Sequence, residues 1–209
     1  MPEKPAIVFD VGNVLLDWQP ERIYRDTIPD AEERAWFMTH VVPLSWHEQQ
    51  DLGRPCEEGI AGRVAQFPAY EARIRDFYGR WLEAIAGEIP GTVRILRDLK
   101  EQGYPVHAIT NFSAELWPMT VAAYPFLGEF DVAIVSGEEG VLKPDREIFR
   151  RLLDRIGLAA RDCVFIDDRA EHVETARWLG FRTIRFTTPE ALRMDLVKLG
   201  VRLPIQLAG

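Results

Sequence analysis

The fold is decided near the N-terminus, by the stretch Ala6-Ile7-Val8-Phe9-Asp10-Val11-Gly12-Asn13-Val14-Leu15. It opens with an unbroken apolar run, and so short a run predicts a strand that is buried on both faces. Asp10 follows at the end of that strand, and the Gly12-Asn13 pair is typical of a sharp turn. Open α/β sheets bind ligands outside the carboxyl ends of their strands, so Asp10 is a candidate nucleophile or metal ligand. For any single aspartate, a turn or helix-capping role is the alternative.

Composition narrows the classes of function. The chain has 209 residues, of which 47% are apolar, which is enough for a domain of ordinary size plus an insertion. A net charge of −8 argues against nucleic acid and anionic membranes as partners. No apolar run reaches the ~18 residues of a membrane span, and the N-terminus lacks a signal-peptide pattern. With only Cys56 and Cys163, far apart in the chain, we expect a reduced cytoplasmic protein without a disulfide or a cysteine-based metal site.

Strands alternate with helices through the second half of the chain. Apolar runs at 106–109, 132–135, 163–166 and 181–186 predict strands, and amphipathic segments between them predict helices. This alternation predicts an α/β fold in which a Rossmann-like, doubly wound parallel sheet is flanked by helices.

The chain between the first two strands is much longer than the dozen or so residues that a crossover needs. We therefore expect an inserted, all-helical cap domain at residues 18–88, lying as a lid over the end of the first strand. The Rossmann-like catalytic core would comprise residues 1–17 and 89–209. Within the cap, the patterns predict helices over 20–28, 32–42, 57–67 and 70–86, and mainly loop over 43–57.

Polar residues end the other strands as Asp10 ends the first. They are Thr110 and Asn111 after the second strand, Asp167 and Asp168 after the fourth, and Lys143 just before a helix. In a parallel sheet all of these lie on one edge. Taken singly, each has a simpler alternative, such as a surface lysine, a structural threonine or a helix-capping aspartate. Their order, each at a strand or helix terminus, favours a shared site.

The shared site would suit phosphoryl transfer. Three carboxylates in one crevice repel one another unless a cation joins them, and oxygen ligands in small number favour Mg²⁺ over Ca²⁺. Lys143 would provide a point charge for phosphate, and Thr110 and Asn111 could hold phosphate oxygens. The pattern indicates that Asp10 attacks phosphorus while the metal bridges Asp10 and the phosphate.

Four motifs carry a family resemblance: Phe9-Asp10-Val11-Gly12-Asn13-Val14, Ile109-Thr110-Asn111, Lys143-Pro144-Asp145 and Asp167-Asp168. With them, the chain resembles the haloacid dehalogenase-like hydrolase superfamily, in the subclass whose helical cap lies between the first two motifs. The resemblance covers nearly the whole chain and implies a Mg²⁺-dependent phosphatase that forms an aspartyl-phosphate. It implies Asp10 as nucleophile and metal ligand, the Gly12 carbonyl, Asp167 and Asp168 as further ligands (Asp168 the more direct), and Thr110, Asn111 and Lys143 as phosphate-binding residues.

Gly12 departs from the family pattern. Many phosphatases of this superfamily carry a second aspartate there, which protonates the leaving oxygen, and general acid catalysis contributes roughly 10²–10⁴-fold. Possible substitutes are Asp17, His47, Glu48 or a metal-ordered water. Members with the same Gly-Asn opening are thought to act on sugar phosphates, so we expect a small phosphorylated metabolite such as a sugar phosphate as substrate.

Two other functions stay open. In a 2-haloacid dehalogenase, Asp10 would attack carbon without a metal, and Gly12 is tolerable because halide leaves without a proton. Carbon attack does not call for the Asp167-Asp168 pair, however, and those acids would repel a carboxylate substrate. The third possibility is a catalytically silent binding protein, against which the complete set of acids and Lys143 argues.

The cap is expected to select the substrate. Its candidate pocket residues are Trp18, Trp46, His47, Gln49, Arg54, Phe112 and Trp117, with Trp46 the predicted substrate contact. Trp36 and Trp81 are assigned to the cap core, and His40, His107 and His172 are given no role. The sequence does not identify the oligomeric state.

Overall fold

A computed structural model of the protein describes residues 4–204. Its strands are β1 Ala6–Phe9, β2 Leu16–Trp18, β3 Ile85–Glu88, β4 Val106–Thr110, β5 Val132–Val135, β6 Cys163–Asp167 and β7 Arg182–Arg185. Five of them form one parallel sheet in the order β5-β4-β1-β6-β7, which confirms the predicted doubly wound sheet. β2 and β3 pair separately as an antiparallel ribbon.

β1 is the central strand, and all its side chains are buried. Phe9 is in register with Ala108 of β4 on one side and with Ile166 of β6 on the other. The carboxyl ends of these three strands therefore lie side by side, and the residue that follows Phe9 is Asp10. The sheet itself brings the residues that end these strands to one edge.

Helices cover both faces of the sheet. They are α1 Ala31–His40, α2 Leu44–Asp51, α3 Cys56–Gln66, α4 Glu71–Gly79, α5 Pro90–Glu101, α6 Trp117–Ala123, α7 Ser136–Glu139, α8 Arg146–Ile156, α9 Ala170–Trp178 and α10 Pro189–Lys198. Alternate residues of β1 enter different clusters: Val8 packs in one with Phe149 of α8, and Phe9 in another with Leu96 of α5 and Leu196 of α10. No helix within residues 4–204 has both the length and the apolar character that crossing a membrane requires.

The insertion differs from the sequence prediction in two places. The predicted helix over 70–86 ends at Gly79, because the chain then makes a short 3₁₀ turn and continues into β3, whose backbone pairs with β2. The predicted loop over 43–57 contains α2, which begins directly after Pro43. The buried face of α2 includes polar residues such as Gln50 and Asp51, so it lacks the apolar periodicity that reveals a helix.

Hydrogen bonds hold the insertion, residues 18–88, over the carboxyl edge of the sheet. Ser136, directly after β5, donates its hydroxyl to the carbonyl of Asp51 at the end of α2, with an O–O distance of 2.6 Å. The indole nitrogen of Trp81 donates to the Thr120 hydroxyl of α6 at 3.1 Å. Because both contacts join the insertion to segments that follow sheet strands, the insertion covers the edge that carries Asp10.

Candidate active site

Lys143 is the centre of the site. Its side chain is buried, and its Nζ donates to Asp10 Oδ1 at 2.8 Å, to Asp167 Oδ2 at 2.8 Å and to the Ile109 carbonyl at 2.9 Å. An ammonium group has three donors, so every one is used. Burial alone would lower the pKa of Lys143, but Asp10 and Asp167 raise it above its ordinary value. The lysine is therefore a fixed positive charge between two carboxylates.

Asn111 holds Lys143 in place. Its side-chain nitrogen donates to the Lys143 carbonyl at 3.0 Å, and its side-chain oxygen accepts from the Lys143 backbone N–H at 2.8 Å. Two bonds from one amide fix the backbone of the loop that carries the lysine. This contact joins the end of β4 to the segment before α8, and it makes Asn111 a positioning residue for Lys143.

Asp167 does not line the cavity, but it contacts two residues that do, Lys143 and His172. It is fully buried, it accepts from Lys143 and from the Arg169 backbone N–H at 2.9 Å, and His172 Nδ1 lies 3.0 Å from both of its oxygens. Burial would raise the pKa of Asp167, but Lys143 and His172 outweigh it and hold that pKa well below its ordinary value. The carboxylate is charged and engaged on both oxygens.

His172 is a residue beside the cavity to which the sequence prediction assigned no role. It lies in the first turn of α9, five positions after Asp167, and its position in the helix after the fourth motif is the signal that could have revealed it. Its Nδ1 faces Asp167, while its buried Nε2 has no hydrogen-bond partner among residues 4–204. His172 lines the same cavity as Asp10.

The acids around the cavity fit a bound divalent cation. Burial and the nearby Asp167 raise the pKa of Asp10 to about 8, although Lys143 opposes the shift, and burial and Asp167 also raise the pKa of Asp168. A carboxylate oxygen from each of Asp10 and Asp167 and a ring nitrogen of His172, all atoms that can bind a metal, lie within 4.8 Å of one another. These carboxylates need more positive charge than Lys143 provides to remain ionised together, which is what a cation supplies.

A cavity of about 300 Å³ lies between this charged edge and the insertion. Its core side includes Asp10, Gly12, Asn111, Lys143, Asp168 and His172, and its other side includes Trp18, Leu44, His47, Glu48, Asp51 and Trp81. The volume is at the small end of the roughly 300–1,000 Å³ of small-molecule pockets. Asp10 and Asp168 therefore share one enclosed space, as the sequence predicted from the strand ends.

α2 forms much of the opposite wall. Leu44, His47, Glu48 and Asp51 recur at the spacing of one helical face. Burial lowers the pKa of His47 to about 3, so the imidazole is neutral at pH 7. Burial and the neighbouring Glu48 raise the pKa of Asp51 to about 7. His47 is thus uncharged near neutral pH, and Asp51 is partly protonated there.

Several predicted pocket residues lie elsewhere. Trp46, the predicted substrate contact, is buried in the cap: its indole nitrogen donates to the Gly59 carbonyl at 3.1 Å, and its ring packs on Phe77. Thr110 ends β4 with 1% of its surface exposed and does not line the cavity. Trp81, assigned to the cap core, is buried in the main apolar cluster and also lines the cavity.

The remaining candidates divide in the same way. Outside the cavity lining are Asp17, Gln49, Arg54 and Trp117, and on it are Trp18, His47, Glu48 and Phe112. The Asp17 carboxylate accepts from the Gln19 side chain at 2.9 Å instead. Among the three residues expected to replace the acid missing at Gly12, only His47 and Glu48 reach the cavity, and His47 is held neutral.

Comparisons with known proteins identify the family of the chain. The family model of haloacid dehalogenase-like hydrolases matches residues 4–180. The sesquiterpene phosphatase astK from Aspergillus oryzae is 26% identical over 205 residues, which are 93% of this chain and 95% of that protein. Two further curated relatives are much longer, and the chain spans only 19% and 36% of their lengths.

Solved structures share the fold. The HAD family enzyme bt-2542 from Bacteroides thetaiotaomicron, in complex with magnesium and inorganic phosphate, is 19% identical with a TM-score of 0.68, covering 88% of this chain and 95% of that one. The L-2-haloacid dehalogenase from Xanthobacter autotrophicus is 18% identical with a TM-score of 0.63, covering 96% and 85%. Because both share this fold, the fold alone does not decide whether phosphorus or carbon is attacked.

Proposed function

Because the chain belongs to the haloacid dehalogenase-like hydrolases, we propose that it is a Mg²⁺-dependent phosphatase of a small phosphorylated metabolite, with Asp10 as nucleophile. One observation carries the proposal: Lys143 lies 2.8 Å from both Asp10 and Asp167, while Asp168 lines the same cavity. This is one fixed cation among three acids, at the edge of the sheet where ligands bind. The small cavity supports a small substrate.

Asp10 is placed for nucleophilic attack. One of its oxygens forms a bond to phosphorus as the bond from phosphorus to the ester oxygen breaks. The leaving oxygen takes a proton from water, which gives an aspartyl-phosphate and an alcohol. Water then attacks the same phosphorus, releases phosphate and regenerates the carboxylate. Lys143 stays bonded to Asp10 Oδ1, so the other oxygen is the one free to attack.

The remaining residues take supporting roles in this proposal. Asp10, the Gly12 carbonyl and Asp168 would hold Mg²⁺, which when bound adds the positive charge that keeps the acids ionised and offsets charge on phosphate. Asp167 acts through Lys143 and His172, because both of its oxygens are already engaged. Asn111 contributes by positioning Lys143. A phosphate contact by Thr110 stays a prediction from the sequence, and its buried side chain lies outside the cavity lining.

A dehalogenase is the second candidate, and Gly12 is the observation that favours it, because halide leaves without a proton. The cavity wall argues against it. Asp168 and Glu48 both line the cavity, and these acids would repel the carboxylate of a 2-haloacid. A silent binding protein is less well supported, because the buried contacts among Asp10, Lys143 and Asp167 are intact.

The test is turnover of p-nitrophenyl phosphate with Mg²⁺ and with EDTA, alongside halide release from L-2-chloropropionate. The proposal predicts phosphate release that stops in EDTA, and no halide release. Halide release in EDTA without phosphatase activity would establish the dehalogenase instead. Inactivity towards both substrates and a full panel of phosphate esters would support the silent protein.

A further inference from the structure

Large apolar side chains form much of the cavity wall, alongside the ionisable His47, Glu48 and Asp51 of α2. The large apolar side chains are Leu16, Trp18, Leu44, Trp81, Ile85 and Phe112. The part of a substrate that faces this wall is the alcohol that leaves when phosphorus is attacked. The chemistry of the wall therefore bears on the identity of that alcohol, and the inference rests on the phosphatase proposed above.

The wall is preformed. The Trp81 ring meets the edge of Phe112 at 5.5 Å between centroids, and Trp18 lies 6.2 Å from Trp81 and stacks at 5.7 Å on His47. The indole N–H of Trp81 is bonded to Thr120, which fixes the ring. Rings held by one another present a rigid apolar surface, which favours apolar ligands because no reordering is needed on binding.

Several polar side chains on the cavity already have hydrogen-bond partners, although Trp18 Nε1, Asp51 Oδ1 and His172 Nε2 have none among residues 4–204. Asn13 Oδ1 accepts from the Trp18 backbone at 3.2 Å, and His47 Nδ1 lies 3.3 Å from the Tyr78 hydroxyl. Both side-chain amide atoms of Asn111 are bonded to Lys143. Arg169 is paired with Glu171. Against the apolar side chains of the cavity, a polyhydroxylated alcohol would bury hydroxyls without partners, which weakens its binding.

The charged groups on the cavity wall also favour an uncharged alcohol. Glu48 places a further carboxylate on the α2 face of the cavity, beside the neutral His47 and Asp51, which is partly protonated near pH 7. A second phosphate or a carboxylate on the alcohol would meet Glu48 without a cation on that wall to offset it. Glu48 could accept hydrogen bonds from a hydroxyl group of the alcohol, but it would repel an anionic group there.

We propose that the substrate is a phosphate monoester of an uncharged and largely apolar alcohol, bound with its apolar part against Leu44 and the Trp18–Trp81–Phe112 rings. This replaces the sugar phosphate expected from the sequence resemblance. Discrimination comes from hydroxyls of the competing sugar that would be buried without partners, and sites reject substrates most strongly in this way.

A matched pair of esters tests the proposal. Cyclohexylmethyl phosphate and glucose 6-phosphate are both phosphate monoesters of primary alcohols on six-membered rings, and differ chiefly in hydroxyl content. The predicted kcat/KM with Mg²⁺ is roughly 100-fold higher for cyclohexylmethyl phosphate. Equal values, or a preference for glucose 6-phosphate, would overturn the proposal. If neither ester is hydrolysed but p-nitrophenyl phosphate is, this inference alone fails, and if all three are inert the phosphatase function fails with it.

Leu44→Gln locates the apolar contact. Leu44 is 52% exposed on α2, so the substitution should not disturb folding, and Leu82→Gln is the matched control because Leu82 is 39% exposed on the cap but does not line the cavity. Leu44→Gln should lower kcat/KM for cyclohexylmethyl phosphate about 10-fold and narrow its advantage over glucose 6-phosphate, while Leu82→Gln should change neither. An unchanged ratio in Leu44→Gln would contradict the proposed contact.

Discussion

The two walls of the cavity are built in opposite ways. On the core side, Lys143, Asp10 and Asp167 are charged groups joined by contacts of 2.8 Å, and they are carried by strand ends and the loop before α8. On the cap side, Trp81 packs edge to face with Phe112 and is tilted against Trp18, and the ionisable His47 is held neutral.

The difference between the two walls indicates that phosphoryl transfer and selection of the alcohol depend on different residues. Phosphoryl transfer needs charges that stay fixed, and the register of β1 with β4 and β6 fixes them. Selection of the alcohol needs a surface of suitable shape and polarity, and the insertion supplies it. Changes on the core side should therefore affect every phosphate ester, whereas changes on the cap side should affect only some.

The largest expected effect is loss of the nucleophile. Asp10→Asn should lower turnover of every phosphate ester by roughly 10³-fold or more, because the amide does not attack phosphorus. Circular dichroism should show an unchanged fold. Asp17→Asn is the control, since Asp17 lies on the same segment but does not line the cavity. Comparable losses in the two variants would contradict the separation of roles.

Lys143→Met should both inactivate and destabilise the protein. It leaves Asp10 and Asp167 buried without their cation, and breaking such a buried pair costs ~3–5 kcal/mol of unfolding free energy. Urea denaturation measures the change. Lys100→Met removes a surface lysine that pairs with Asp131 at 3.4 Å and should cost no more than about 1 kcal/mol. Similar stabilities for the two variants would show that the buried network is not as tightly coupled as we infer.

A smaller effect is expected from His172→Gln. Without the imidazole, Asp167 loses one of the groups that hold its charge and position beside Lys143, so activity should fall roughly 10–100-fold, as on loss of other outer hydrogen-bond partners of a metal site. The Mg²⁺ concentration that gives half-maximal activity should rise as well. His40→Gln, an exposed histidine on α1, should change neither. A lower melting temperature with unchanged Mg²⁺ dependence would indicate a merely structural role.

The smallest effect is a gain from Gly12→Asp. A Cβ built on Gly12 meets no heavy atom within 4 Å, so an aspartate fits on the cavity wall. It would add a proton donor for the leaving oxygen, and we expect alkyl phosphates to gain about 10-fold while p-nitrophenyl phosphate, whose leaving group needs no proton, gains little. Equal gains for both ester types would argue that the acid is not what position 12 lacks.

The sequence predicts the core side well because each residue there follows a strand. Asp10, Asn111 and Asp168 end apolar runs, and the rule that ligands bind at the carboxyl edge of a parallel sheet brings them together without any knowledge of side-chain contacts. The bonds from Asn111 to Lys143, and the place of His172 beside Asp167, depend on side-chain directions that strand patterns do not contain.

The sequence predicts the cap side poorly because the residues there both fill the cap core and line the cavity. α2 buries Gln50 and Asp51 alongside Trp46, so the mixed pattern resembles a loop. Trp46 and Trp81 are both buried tryptophans, and only the packing shows that Trp81 faces the cavity while Trp46 bonds to Gly59. Apolar residues that line a pocket and those that fill a core look alike in a sequence.

The central claim is that Asp10 becomes phosphorylated. Wild-type protein turning over p-nitrophenyl phosphate with Mg²⁺ should be quenched rapidly in acid, digested and examined by mass spectrometry. We predict one phosphoryl group on the peptide that contains Asp10, and none in EDTA. A phosphoryl group on another residue, or steady turnover with an unmodified Asp10 peptide at every quench time, would contradict it.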